Sequence, residues 1–243
     1  MTDADDDKPS APLAPDGGPW RNFYGRRHGK QLRPRQRWLL ETRLPELTPR
    51  GIERSHNPER RPVDLHQLLP GKQDIWLEVG FGGGEHLLAQ AQRYPEVGFI
   101  GCEPFVNGMA MLLSAMAERP IGNLRLYQGD ARILFEVLPA ACLGRVFVLY
   151  PDPWPKKRHV GRRFVGRENL DWLARLMKPG AALRLASDIP AYIEHSREVV
   201  VAHPAFEIAA DTPKPWADWP GTRYEAKALR EGRVPHYLTI ARR

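Results

Sequence analysis

The sequence predicts an α/β fold, a mostly parallel sheet covered by helices on both faces. Three observations lead there. From about residue 73 to the C-terminus, strand-like apolar runs alternate with helical stretches. The clearest runs, residues 75–79 and 145–150, place bulky apolar residues at successive positions, as strands buried on both faces do. Several strands lead into loops of Gly, Asp or Pro, and such sheets bind ligands beyond the carboxyl ends of their strands.

The elements follow in order. Residues 75–79 form a first strand that ends at glycines, and 85–93 a helix. A second strand spans 97–102. A helix spans 104–118, with Pro104 suited to its first turn. A third strand at 124–127 precedes a helix at 131–138, and the fourth strand is 145–150. Then come a helix at 167–177, a fifth strand at 181–186 and a helix at 190–201. Two last strands, 206–210 and 236–241, flank a helix at 222–230, which makes seven strands.

Ahead of this domain, residues 1–20 are rich in Asp, Pro and Gly and poor in large apolar side chains, a composition that favours disorder. Residues 21–62 form a basic, proline-punctuated extension with room for a short helix at 36–42. They hold too few apolar residues for a core of their own. Residues 63–243 form the main domain.

A 243-residue chain buries enough surface to fold without disulfides. Its two cysteines, Cys102 and Cys142, make no CxxC pair, so no metal site and no disulfide framework is expected. No apolar run of about 20 residues predicts a membrane span. The acidic start does not resemble a secretory leader, and a cytoplasmic location is expected. The formal charge is +7 and unevenly spread. Residues 21–61 hold twelve Lys/Arg against four Asp/Glu, and residues 156–167 hold six Lys/Arg and no acid. Clustering of this kind suggests a face for a polyanion.

The first loop reads Glu78-Val79-Gly80-Phe81-Gly82-Gly83-Gly84. Its spacing is G-x-G-x-G. A dinucleotide fingerprint would need a glycine at Glu85. The pattern resembles the first motif of class I methyltransferases, which bind S-adenosylmethionine and have no pyrophosphate to cradle. Nineteen residues after Gly84, Glu103 ends the second strand, where an acid can accept hydrogen bonds from ribose hydroxyls. Asp130 follows the third strand, where it can receive an adenine amine, cap the next helix, or do both. Cofactor contacts are therefore expected at Gly80, Gly82, Gly84, Glu103 and Asp130.

The fourth strand runs into Pro151-Asp152-Pro153-Trp154-Pro155-Lys156-Lys157-Arg158-His159. Prolines on both sides of Asp152 fix φ and remove donors, which makes a stiff loop presenting its acid at the cofactor pocket. Trp154 can stack on a base or wall the pocket. The cations after it suit phosphates. With this segment the sequence resembles the bacterial tRNA (guanine-N7)-methyltransferase family, the TrmB type, over residues 21–243. Asp188 after the fifth strand and Thr222-Arg223-Tyr224-Glu225 also resemble family motifs.

The resemblance implies a Rossmann-like class I methyltransferase fold. It implies cofactor contacts at Glu78, Glu103, Asp130 and Asp152, with Asp152 also catalytic. It implies tRNA contacts at Lys156, Asp188 and Thr222 through Glu225, and methyl transfer to N7 of guanosine 46. On this reading Asp152, with Asp188 or Glu225, holds the guanine edge. Lys156, Lys157, Arg158, Arg162 and Arg163 grip the tRNA backbone. Thr222 and Glu225 also have the spacing of a helix capping box. A small-molecule methyltransferase would leave both basic stretches without a purpose. A binding protein without activity would not need the glycines, Glu103 and Asp130. A nicotinamide enzyme is disfavoured by Glu85. Monomer and homodimer both remain open.

Overall fold

The computed structural model describes residues 24–119 and 121–243. The disorder expected over residues 1–20 lies outside the described residues. Three short helices come first: α1 (Pro34–Thr42), α2 (Leu44–Leu47) and α3 (Leu65–Leu68). The alternation then runs β1 (Asp74–Val79), α4 (Glu85–Arg93), β2 (Val97–Cys102), α5 (Val106–Met116), β3 (Leu124–Tyr127), α6 (Ala131–Val137) and β4 (Leu143–Leu149). A 3-10 turn, Lys157–Arg162, leads to α7 (Arg167–Leu176), β5 (Met177–Ser187), α8 (Pro190–Val201), β6 (Phe206–Thr212), α9 (Arg223–Arg230) and β7 (His236–Arg242).

The strand order is β3-β2-β1-β4-β5-β7-β6. The first five strands are parallel, and β7 runs antiparallel to both β5 and β6. From β1 the chain winds outward to β2 and β3, then returns to β4. The loops after β1 and β4 therefore diverge over one crevice, the switch point where such sheets hold ligands.

Side-chain alternation along the strands supplies two cores. One face presents Leu77, Ile100, Val146, Val148 and Leu185 to α6, α7 and α8. The other presents Trp76, Phe99, Leu126 and Phe147 to α4 and α5. The basic extension does not stand apart. Leu39 of α1 is buried in the second core and Ile52 in the first. Arg60 ties the intervening loop down by donating to the Ile52 and Ile133 carbonyls, at 2.5 and 2.7 Å.

The expected helix at 104–118 starts later, at Val106. The Glu103 carboxylate takes the Phe105 N–H at 2.9 Å. That holds the chain extended through Phe105, the residue that caps α5, and leaves Pro104 outside the helix. Strand β5 begins earlier than expected, because Met177 pairs with Leu143 before a register shift. Both cysteines are free. Among the described residues, no helix is long and apolar enough to cross a membrane.

Candidate active site

A cavity of about 620 Å³ opens at the carboxyl ends of the central strands, bounded by Gly80, Gly82, Glu103, Asp130, Asp152 and Tyr224. That volume lies in the range of small-molecule ligand sites.

The loop after β1 forms one wall. Gly80 has φ 72° and Gly82 φ 57°, a region that favours glycine. A Cβ placed on Gly80 would meet no atom within 4 Å, so the bare backbone there faces open space. Gly82 donates its N–H to Glu103 Oε2 at 2.6 Å. Gly84 is not on the cavity. A Cβ there would strike Leu112 of α5, so this third glycine serves helix packing.

Glu103 joins the two loops. One oxygen accepts from Gly82 and the other from Phe105. The side chain is only 6% exposed. Burial pushes its carboxyl up to about 7, although both N–H groups favour the ionised form. Each oxygen keeps a lone pair for a ligand hydroxyl. Asp130 caps α6 through the Arg132 N–H at 2.9 Å and pairs with the Arg132 guanidinium at 2.5 Å.

Glu78 is not among the residues that line the cavity. It is 3% exposed and bonds to His86 Nδ1 at 2.6 Å, away from the cavity lining. On β1 it shares the face of Trp76, where α4 packs and where the His86 ring meets Phe147 and Trp219. The acid at the end of the first strand thus fastens α4 to the sheet in this structure.

The loop after β4 forms the opposite wall. Tyr150 at φ 50° and Trp154 at φ 43° bracket Asp152 in left-handed backbone. Such conformations are strained for large side chains, and they cluster at functional sites. Asp152 is exposed at the cavity mouth, and no hydrogen bond or ion pair engages it among the described residues. The other acids expected near the substrate are already engaged. Asp188 accepts from Arg233 Nε at 2.5 Å. Glu225 accepts from Trp219 Nε1 at 2.8 Å and from the Tyr237 hydroxyl. The Thr222 hydroxyl caps α9 by accepting the Glu225 N–H at 3.1 Å. Because its carboxylate is used inward, Glu225 does not close the reciprocal half of the expected box.

Arg223 pairs with Glu85 and lies 3.4 Å from Met111 Sδ. Tyr224 leans over Gly82 and stacks with Tyr150, ring centroids 6.5 Å apart and 19° from parallel. Lys156, Lys157 and Arg158 are exposed outside the mouth. Arg162 lies over the rings of Tyr24 and Trp154, at 4.1 and 5.1 Å. Arg163 departs from the expectation of a phosphate contact. It is 7% exposed and turned inward, because two backbone carbonyls take its N–H groups.

Sequence reasoning missed Tyr24, Tyr150 and Arg132 on the cavity wall. Tyr150 was readable as the residue ending the fourth strand. Tyr24 carried only the signal of an aromatic residue in a basic stretch.

A family model described as "Putative methyltransferase" matches residues 72–238. The chain is similar to the tRNA (guanine-N(7)-)-methyltransferase of Ruegeria sp. (strain TM1040), 53% identical over 256 residues, covering 100% of this chain and 99% of that protein. It is similar to the enzyme of the same description from Paracoccus denitrificans (strain Pd 1222), 55% identical, covering 93% of this chain and 96% of that protein. Among solved structures, the 16S rRNA methyltransferase KamB shares the fold, with TM-score 0.54, 19% identity, and coverage of 73% of this chain and 92% of that one. An antibiotic-related methyltransferase does so at TM-score 0.54 and 17% identity, covering 75% and 96%.

Sheet order and crevice together define a class I, Rossmann-like methyltransferase. Identity above half along nearly the whole chain narrows this further. The chain belongs to the tRNA (guanine-N7)-methyltransferase family of enzymes.

Proposed function

We propose that the protein transfers a methyl group from S-adenosylmethionine to N7 of guanosine 46 in tRNA. The observation that carries this reading is Asp152. Of the three acids expected near the substrate, it alone has no partner among the described residues, and it stands at the mouth of the cavity.

The residues present fit the cofactor. Gly80 offers bare backbone facing open space, Glu103 has lone pairs for the ribose hydroxyls, and Asp130, on the same cavity wall, would receive the adenine amine. When bound, S-adenosylmethionine supplies a methyl group already activated on its sulfonium. Guanine N7 already has an in-plane lone pair, so no protein base is needed to create a nucleophile. The chain's task is alignment and charge stabilisation. Asp152 accepts hydrogen bonds from the N1–H and amino edge of guanine and offsets the positive charge the purine gains. Adenine lacks those donors and would leave the carboxylate unpaired, which disfavours it. Tyr150 and Tyr224 offer flat faces for the base. Lys156, Lys157 and Arg158 receive tRNA phosphates.

The test is transfer of label from S-adenosylmethionine to unmodified bulk tRNA, followed by nucleoside analysis and mapping of the modified position. The reading predicts 7-methylguanosine at position 46. Label on another base, or none although the cofactor binds, would contradict it.

A further inference from the structure

The bracketing of Asp152 by two left-handed residues raises the question of what holds its loop in place. The prolines limit local motion but do not tie the loop to the rest of the fold. Arg163 does. Its Nε donates to the Pro153 carbonyl at 3.0 Å, and its Nη1 to the Ala191 carbonyl at 2.9 Å. Ala191 stands in the first turn of α8. The guanidinium carbon lies 5.6 Å from the ring centre of the fully buried Tyr192. Among the described residues, no carboxylate pairs with Arg163. A buried cation without an ion pair is costly to keep, and contact with a surface phosphate would not require burying it.

We propose that Arg163 is a positioning residue: it ties Pro153, the neighbour of Asp152, to the start of α8 and so fixes the Asp152 carboxylate against the cavity. Adjacent Arg162 differs, since it lies on exposed Tyr24 and on Trp154. The proposal rests on the methyl-transfer reading above for its kinetic consequence, but not for its structural one.

Two variants test it, Arg163→Ala and Arg163→Lys. In single-turnover methyl transfer, Arg163→Ala should lose on the order of 100-fold in rate, the scale expected when a reacting group is misplaced by about 1 Å. The KM values for cofactor and tRNA should change by no more than about twofold, because ground-state binding is not what is lost. Arg163→Lys keeps the cation and one donor, and it should recover part of the rate. The salt dependence of tRNA affinity should not change, whereas loss of a phosphate contact lowers the slope by about 1. Amide exchange at His159 and at residue 163, whose N–H groups donate to the Lys156 and Val160 carbonyls at 2.8 and 3.0 Å, should quicken in the variants while β4 and β5 stay protected.

A reduced salt slope with an unchanged rate would overturn the proposal and make Arg163 a phosphate contact. Unchanged exchange in the loop would also overturn it. If Arg163→Ala fails to fold, Arg163→Lys alone decides both readouts. If the wild-type protein methylates no tRNA, the functional reading fails, and exchange at His159 still decides whether Arg163 holds the loop.

Discussion

Glu103 accepts the Gly82 and Phe105 N–H groups and lines the cavity with the same carboxylate. Burial raises that group from its ordinary 4.5 to about 7. Ionising it costs folding stability, so its stabilising contribution is full below pH 4.5 and is lost as pH rises through 7. Cofactor binding should run the other way, since ribose hydroxyls donate more strongly to a carboxylate than to the neutral acid. Affinity for S-adenosylhomocysteine, measured by calorimetry, should therefore tighten roughly tenfold from pH 6 to 8. Glu103→Gln should bind more weakly and lose that slope. An equal slope in the variant would assign the titration to another group. Glu103 and Asp130 were legible because both stand where strands end. Glu78 stands off the cavity lining, and the sequence carried the signal for that position. Period two puts it on the face of Trp76, and His86 sits on the helix that packs there. Arg163 was not legible, because a run of cations looks uniform until one of them finds two carbonyls.

Element by element, most boundaries could be read from hydrophobic period and punctuation. Helix α4, strand β2, strand β3 and helix α8 fall where the sequence puts them. The misses arise where a specific contact overrides local preference: a side-chain bond two residues away at the start of α5, and long-range strand pairing at the N-terminal end of β5. Helix α9 carries a prediction of its own. Thr222 satisfies one of its free N–H groups, while Glu225 is held by Trp219 and Tyr237. Thr222→Ala should cost about 1 kcal/mol by denaturant titration, and Thr222→Ser should restore most of it. No loss in the alanine variant would mean that the Trp219–Glu225–Tyr237 contacts alone fix the helix and Tyr224.

For the molecule as a whole, the two basic stretches lie far apart in sequence and meet at the cavity. Tyr24 and Arg26 from the extension line the same opening as Trp154 and Arg162 from the loop after β4. This juxtaposition could not be read from the chain, because nothing local in either stretch points to the other. It predicts that tRNA affinity falls steeply with salt through counterion release. Lys156→Ala and Arg158→Ala should each lower the slope of log affinity against log salt by about 1, without altering the sequence of the site modified. Slopes equal to wild type would move the phosphate contacts away from this loop.

The most direct measurement compares Asp152→Ala with wild type in two assays on the same preparations: single-turnover methylation of tRNA and equilibrium binding of S-adenosylhomocysteine. The account predicts a loss of roughly 100- to 1000-fold in the rate, the scale of removing one preorganised charge-stabilising group, with cofactor affinity nearly unchanged. Equal losses in rate and affinity would place Asp152 in the cofactor site and contradict its role in holding the guanine.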